Sequence, residues 1–322
     1  MEDRGLLIQA AEDQLLEKAK RDGVETAWDR KDAMKTPCGF GSAGVCCRNC
    51  AMGPCRVSPV PGKGVERGIC GATADIIVAR NFARMCAAGS ASHSDHGRSL
   101  CLYLENASRD GQITIRDEKK LASVAKKYGI DTEGRDVYDV AHDVAAATLN
   151  EFGKPHGNLI FSSALPKKRI EVWDKLGVTP RAIDKDIVSI MHSTHIGCSG
   201  DAKNLINMSM RASLGDGWGG SYIATEISDI LFKTPSPVET QANLGVLETN
   251  SVNIILHGHE PSLSESIVAA AEDPELIALA KAQGADGINV CGMCCTGNEI
   301  TMRHGIKMAG NFLQQELEVI TG

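Results

Sequence analysis

A dense group of cysteines dominates this sequence and limits what the chain can fold into. Six of its 12 cysteines lie between residues 38 and 70, in a stretch rich in glycine and proline. In a reducing compartment such cysteines do not persist as structural disulfides, and dense clusters usually bind metal. The stretch is therefore expected to form a loop around a metal site rather than around a hydrophobic core.

Four of these cysteines have the spacing of a cluster-binding loop. Cys47, Cys50 and Cys55 form C-x2-C-x4-C, and Cys70 follows after a segment that can fold back on them. A 4Fe-4S cluster is held by four thiolates, which closely spaced cysteines on a flexible loop supply. A structural zinc site with the same four thiolates is the alternative, because tetrahedral sulfur ligation suits zinc as well.

Two further cysteines, Cys38 and Cys46, remain in the same loop. Two thiolates complete neither kind of site. Two copies of the pair, related by the two-fold axis of a dimer, would supply the ligands of a shared cluster, and two-fold dimers are the commonest oligomers. The alternative is that both are free buried thiols.

Charge and composition exclude several classes of partner. The formal net charge is -7 and the basic residues are scattered, so no basic surface for nucleic acid or an anionic membrane is indicated. The first residues lack the basic and apolar regions of a secretory signal, and no apolar run approaches the roughly 20 residues that span a bilayer. The sequence thus predicts a soluble, cytoplasmic protein.

Hydrophobic periodicity predicts a mainly helical domain over residues 1–240, with the cysteine loop at about 38–71. A short strand is expected at 158–161. The predicted helices cover about 7–20, 72–87, 95–107, 118–128, 137–152, 166–176, 184–193 and 201–214.

A different pattern begins near Thr240. Two short apolar runs, 252–256 and 288–291, flank an amphipathic helix at about 262–283, and a further helix is expected at about 307–320. Strand, helix and strand in this order indicate a βαβ unit, the start of a Rossmann-like parallel α/β domain over 241–322. One βαβ unit gives a sheet of only two strands, which is small for a domain, so the domain is expected to be incomplete.

A second cluster of candidate ligands follows the two predicted strands. His257 and His259 come after the first strand, and Cys291, Cys294 and Cys295 end or follow the second. Ligands of parallel α/β sheets gather at the carboxyl ends of strands, so an imidazole and a thiolate from these segments could face a common metal. The alternative is a hydrogen-bonded histidine beside cysteines that only pack.

His93 and His96 lie in the sequence ASHSDHGR, at a spacing that puts them on one helical face. A histidine with a pKa near 6.5 is suited to moving protons. The alternative is a hydrogen-bonded cluster at a helix start. Asp216, in the glycine-rich sequence SLGDGWGGS, is expected to lie in a turn and to satisfy backbone amides.

The order of these motifs resembles one known family, the anaerobic nickel-iron carbon monoxide dehydrogenases. The resemblance covers essentially the whole chain. The shared motifs are C-x7-CC-R-N-C-A-M-G-P-C-R, G-I-C-G-A, H-S-D-H-G-R, M-H-S-T-H-I-G, D-G-W-G-G-S, H-G-H-E-P and G-M-C-C-T-G-N-E.

This resemblance implies roles for the candidate residues. Cys47, Cys50, Cys55 and Cys70 look like the ligands of the family's B-cluster, a 4Fe-4S relay. Cys38 and Cys46 look like one subunit's half-share of the D-cluster, a 4Fe-4S or 2Fe-2S cluster on the dimer axis.

The same resemblance implies the active site. His259 and Cys295 look like the first two ligands of the C-cluster, a nickel-iron-sulfur centre. The other C-cluster ligands of the family come from further along the sequence, so a partial ligand set is expected here. His93 resembles the family's proposed acid/base histidine, and His96 a member of its proton path.

The implied activity is reversible oxidation of carbon monoxide with water to carbon dioxide, protons and electrons. The implied partners are a second copy of the chain, a ferredoxin-like electron acceptor and an acetyl-CoA synthase subunit. Two alternatives remain at this point. One is an electron-transfer or assembly fragment of such an enzyme, and the other is a hybrid-cluster protein that reduces hydroxylamine.

Overall fold

The computed structural model describes residues 10–110 and 113–310 and divides the chain into two compact units. Residues 37–233 form the helical unit. The α/β unit combines the described residues among 1–36 with those among 234–322. It begins with helices α1 (Ala10–Asp22) and α2 (Ala27–Ala33). The helix predicted at 7–20 corresponds to α1, and residues 7–9 lie outside the described residues. The predicted division near residue 240 stays a prediction.

The helical unit opens with the cysteine segment and continues as a bundle around one long helix. The cysteine segment contains α3 (Gly39–Ser42) and the short strands β1 (Cys46–Cys47) and β2 (Cys55–Arg56). The long helix, α4 (Ala74–Asp110), spans 37 residues. The helices that follow are α5 (Glu118–Lys127), α6 (Val137–Gly153), α7 (Lys167–Leu176), α8 (Ile183–Ser193), α9 (Ala202–Gly215) and α10 (Ser221–Phe232).

Apolar faces of these helices enclose the main core of the unit. Its fully buried side chains include Leu104 on α4, Val144 and Phe152 on α6, and Ile223 and Ile227 on α10. Each such side chain stabilises the fold by roughly 1.5–3 kcal/mol relative to an exposed one. Within the described residues, no helix combines the length and the apolarity that crossing a membrane requires.

The helix α4 is continuous where the sequence predicted two helices, 72–87 and 95–107. Glycine and serine residues between these ranges weaken the intrinsic helix propensity. In the structure the hydroxyls of two of these serines form hydrogen bonds while the helix stays continuous. Ser92 donates to the carbonyl of Ala88 at 3.2 Å, and Ser90 donates to the carbonyl of Ala212 on α9 at 3.2 Å. Tertiary packing therefore overrides the local propensity.

The strand predicted at 158–161 is wrong, because a 3-10 turn, Ile160–Ala164, occupies this position. The carboxylate of Glu151 accepts a hydrogen bond from the backbone N–H of Ile160 at 2.7 Å and also binds Lys154. The side chain of Phe161 from this turn packs into the core.

The α/β unit contains a three-stranded parallel sheet in the order β3-β4-β5. The strands are β3 (Val252–Leu256), β4 (Ile288–Gly292) and β5 (Lys307–Met308), and the helices are α11 (Pro261–Ala271), α12 (Pro274–Ala282) and α13 (Cys294–His304). The first two strands agree with the predicted apolar runs. The fold class, a helical domain followed by the start of a Rossmann-like parallel α/β domain, is confirmed.

Two helix predictions in this unit are wrong in detail. The single helix predicted at 262–283 is broken, because Asp273 caps α12 by accepting from the backbone N–H of Glu275 at 2.7 Å and Pro274 begins that helix. The helix predicted at 307–320 is replaced at its start by β5, which pairs with β4. Residues 311–320 of that prediction lie outside the described residues. The helix α13 has no counterpart in the prediction.

Candidate functional site

The four cysteines of the predicted cluster loop line one cavity of the helical unit. The strands β1 and β2 pair antiparallel, so that Cys47 lies opposite Cys55. Cys50 lies in the turn between the strands, and Cys70 lines the cavity from the segment that precedes α4. The fold therefore brings to one place four thiols whose spacing alone allowed several arrangements.

A buried arginine lines the same cavity. Arg80, on the second turn of α4, is only 3% exposed. Its Nη1 donates to the Sγ of Cys70 at 3.4 Å, and its Nη2 donates to the carbonyl oxygen of Ser199 at 2.6 Å. The Arg80 guanidinium is the main reason why the pKa of the Cys70 thiol lies below its ordinary value, and the backbone N–H of Ala72 adds to the shift. The thiolate, which this arrangement favours, is the form that binds metal.

The chemistry of the cavity fits an anionic metal cluster. Two donor atoms in its lining, Nδ2 of Asn49 and Nε of Arg80, are buried without a hydrogen-bond acceptor. Buried donors and a buried cation require a polar or negative partner. The lining therefore fits a negatively charged group bound between the four thiols.

Cys38 and Cys46 lie beside this cavity in sequence but are not part of its lining. Cys38 is exposed and immediately precedes α3. The backbone N–H groups of Gly41 and Phe40 lower the pKa of its thiol, and Arg56 contributes a smaller effect. Cys46 is half-buried on β1, next to Cys47. The alternative in which both cysteines are free buried thiols does not fit Cys38, which is exposed, and the shared-cluster assignment stays a prediction.

His93 forms a hydrogen-bonded pair that the sequence did not indicate. Its Nδ1 lies 2.8 Å from Oδ1 of Asp216, which is 123 positions away along the chain. This hydrogen bond is the main reason why the pKa of His93 lies above 6.5, and partial burial of the ring opposes the shift. The expected turn at Asp216 is wrong. Residues Asp216–Gly220 form a π-helical segment between α9 and α10, and the carboxylate of Asp216 faces His93.

A close helix crossing holds this pair in place. A Cβ atom built on Gly97 of α4 would lie 2.7 Å from the carbonyl oxygen of Gly220, and one built on Gly220 would lie 3.1 Å from the backbone of His93. The two backbones are therefore in direct contact where the π-helical segment passes α4. His96, one turn further along α4, is buried at 7% exposure. The crossing thus determines how far Asp216 lies from His93.

In the α/β unit, the carboxyl ends of β3 and β4 lie side by side, with Leu256 opposite Gly292. The segments that leave these strands are joined by backbone hydrogen bonds, including one from the N–H of Thr296 to the carbonyl of Gly258 at 3.0 Å. As a result, Nε2 of His257 lies 3.0 Å from Sγ of Cys294. An imidazole and a thiol meet at this edge as expected, but from residues other than the predicted ligands.

The predicted ligands themselves flank this pair. His259 is half-buried in the loop before α11, and Cys295 is the second residue of α13. The pKa of the Cys295 thiol lies above its ordinary value, chiefly because the surrounding protein displaces water and also because Glu299 is nearby. Cys294 has a positive φ of 57°, which residues other than glycine rarely adopt. The assignment of His259 and Cys295 stays a prediction.

Three features of these sites were missed by the sequence reasoning: Arg80, the role of Asp216, and the His257–Cys294 contact. The H-G-H and C-C repeats did signal that several ligand combinations were available. The spacing alone does not indicate which histidine and which cysteine act as ligands. Neighbouring residues differ in the direction of their side chains, and that direction depends on the folded backbone. No sequence signal connects Asp216 with His93.

Comparison with known proteins identifies the family. The family model described as Prismane/CO dehydrogenase matches residues 45–322. This match covers well over half of the chain, so the chain belongs to the Prismane/CO dehydrogenase family.

Named relatives within this family are carbon monoxide dehydrogenases. The chain is 55% identical over 317 residues to carbon monoxide dehydrogenase 1 of Methanosarcina mazei, a match that covers 98% of this chain and 50% of the relative.

Solved structures of such enzymes have the same fold. One is a nickel-free, as-isolated carbon monoxide dehydrogenase from Thermococcus sp. AM4, which matches with a TM-score of 0.86 and 50% identity over 96% of this chain and 49% of that one. Another is an acetyl-CoA synthase/carbon monoxide dehydrogenase whose alpha subunits hold NiZn and NiNi Fe4S4 clusters. It matches with a TM-score of 0.86 and 40% identity over 98% of this chain and 47% of that one. The chain thus spans about half the length of the relatives it matches.

Proposed function

We propose that this chain takes part in the reversible oxidation of carbon monoxide with water to carbon dioxide, protons and electrons. The observation that carries the proposal is the cavity lined by Cys47, Cys50, Cys55 and Cys70, with buried Arg80 beside them. It occurs in a chain that is 55% identical to a carbon monoxide dehydrogenase. The relatives' names do not favour a hybrid-cluster protein.

The four-cysteine cavity would hold a 4Fe-4S cluster that passes electrons. Its thiols supply the required ligands, and Arg80 supplies a positive charge for the anionic cluster. Cys38 and Cys46 would supply half the ligands of a second iron-sulfur cluster, shared with another copy of the chain. The exposure of Cys38 supports this role, because a ligand shared across a two-fold axis must reach the surface of its own subunit.

His259 and Cys295 would supply part of the ligand set of a nickel-iron-sulfur cluster. When bound, this cluster would supply the Lewis acidity and the electron storage that carbon monoxide oxidation needs. The contact between His257 and Cys294 would support the site by fixing the two segments on which the ligands lie. This supporting role is typical of side chains that surround metal ligands.

His93 and His96 would carry protons away from the reaction. The contact between Nδ1 of His93 and Oδ1 of Asp216, at 2.8 Å, would orient the imidazole that gains and loses the proton. The hydrogen bond to Asp216 raises the pKa of His93, which favours the protonated imidazole.

Electrons would leave to a ferredoxin-like acceptor, and an acetyl-CoA synthase subunit is a further proposed partner. The solved acetyl-CoA synthase/carbon monoxide dehydrogenase supports the second proposal. We also propose a homodimer and a cytoplasmic location. The 12 cysteines, none of them in a disulfide among the described residues, support a reducing compartment.

The first test measures iron, nickel and zinc per chain in anaerobically purified protein, together with carbon monoxide oxidation by dye reduction. Iron near six per chain corresponds to one four-iron cluster plus half of a shared one, and about four more irons with nickel near one would add the active-site cluster. Iron without nickel would instead support an electron-transfer fragment. Zinc in place of iron would refute the redox proposal.

Cysteine variants then locate the first cluster. Each of Cys47→Ser, Cys50→Ser, Cys55→Ser and Cys70→Ser is expected to lose about four irons, because each removes one of four ligands. The matched control is Cys198→Ser, which replaces an exposed cysteine outside the cavity lining and should keep the full iron content. Equal iron in the control and in all four variants would contradict the assignment.

A further inference from the structure

The environment of Arg80 differs from that of an ordinary buried arginine. A guanidinium stays protonated at any physiological pH, and a buried charge normally pairs with a carboxylate. Within the described residues, no carboxylate forms an ion pair with Arg80. Its hydrogen bonds go to the sulfur of Cys70 and to the carbonyl oxygen of Ser199, and its Nε remains buried without an acceptor. The only acidic group that these contacts offer is therefore the Cys70 thiol.

The position of Arg80 on the long helix makes this charge a fixed one. The side chain extends from α4, whose backbone is continuous from Ala74 to Asp110. Its second hydrogen bond, to Ser199, ties it to the loop that follows α8. Because Nη1 and Nη2 are both hydrogen-bonded and the side chain is buried, the packing holds the cation beside Cys70.

We propose that Arg80 sets the reduction potential of the cluster held by the four cysteines, and raises it. This inference rests on the proposed function, since it requires an iron-sulfur cluster in the cavity. Reduction adds one electron and one negative charge to such a cluster, and it forms or breaks no bond. A fixed cation 3.4 Å from a ligand sulfur stabilises the reduced form more than the oxidised form. The electron comes from the proposed oxidation and passes to the proposed acceptor.

The test compares three variants of the anaerobically purified protein, with iron content and the EPR spectrum as measures of cluster assembly. Arg80→Gln removes the charge, and Arg80→Lys keeps it as a point charge. The matched control is Arg84→Gln. Arg84 lies one turn further along α4 and donates to Oγ1 of Thr194 at 2.9 Å, and within the described residues no hydrogen bond joins it to a cysteine. The readout is the midpoint potential from an EPR-monitored redox titration.

The expected result is a lower potential in R80Q. The reduced-to-oxidised ratio at a fixed potential should fall by about tenfold, which corresponds to 59 mV for a one-electron couple. R80K should lie between R80Q and the parent protein, and R84Q should match the parent. An R80Q cluster with unchanged potential would overturn the proposal and leave the cluster assignment intact. Loss of iron in both R80Q and R80K would also overturn it, because Arg80 would then be needed to hold the loop. Absence of iron from the parent protein would refute the proposed function itself.

Discussion

Replacement of Gly97 by alanine tests whether the helix crossing beside His93 is as tight as the structure shows. The added Cβ would lie 2.7 Å from the carbonyl oxygen of Gly220 and 3.4 Å from the ring of Phe152. Carbon and oxygen atoms in ordinary contact lie at least about 3.4 Å apart, and a backbone carbonyl cannot rotate away as a side chain can. The segment that carries Asp216 would therefore have to move away from α4.

Two opposing free-energy contributions determine how much Gly97→Ala changes the stability of the fold. Alanine favours a helix interior over glycine by about 1 kcal/mol, and this gain applies at any glycine of α4. Overpacking a tight contact costs typically 1–3 kcal/mol. Gly89 lies on the same helix, and a Cβ built there would meet no atom within 4 Å. Gly89→Ala should therefore show only the stabilisation from the higher helix propensity of alanine. Gly97→Ala should show the same stabilisation minus the free-energy cost of overpacking.

The assay is urea unfolding of the two variants and the parent, followed by circular dichroism. We expect Gly89→Ala to be up to about 1 kcal/mol more stable than the parent, and Gly97→Ala to be about 1–3 kcal/mol less stable than Gly89→Ala. The slope of the transition should be unchanged, since the folded structure remains compact. Equal stability of the two variants would refute the reasoning, because it would mean that the crossing at Gly97 opens at no cost.

Three further predictions follow from other contacts. Asp216→Asn should lower the pKa of His93, measured by NMR titration. The pKa of His93 is raised in the folded state, so the pair stabilises the fold below pH 6.5, and this stabilisation is lost as the pH rises through the folded-state pKa. The variant should lack this pH dependence. An unchanged His93 titration would contradict the pairing. Gly297→Ala should destabilise the α/β unit by roughly 1–3 kcal/mol in urea unfolding, because the added Cβ would lie 2.6 Å from the backbone of Gly292. A variant as stable as the parent protein would disprove this close approach. Arg303→Met should cost about 3 kcal/mol, since this 2% exposed side chain neutralises two carboxylates. A cost below about 1 kcal/mol would show that those carboxylates are already solvated.

Much of the secondary structure could be predicted because it depends on local periodicity. The amphipathic patterns of α5, α6 and α8 each bury one face, and the apolar runs of β3 and β4 form paired strands. Two of the errors occurred where a distant partner decides the conformation. Ser90 of α4 donates a hydrogen bond to α9, and the two-residue strand β5 is defined by its pairing with β4. Neither partner can be recognised from the local sequence.

The sequence by itself indicated which ligand-bearing residues this protein carries. The spacing of Cys47, Cys50, Cys55 and Cys70 indicated a metal site, because closely spaced cysteines on a flexible loop can supply four thiolate ligands. The tertiary structure alone decided which charges surround those residues. Arg80 reaches Cys70 only because α4 begins beside the cysteine loop, and Asp216 reaches His93 only because two backbones touch at Gly97. Local spacing specifies ligands, whereas packing between distant segments positions the groups that tune them.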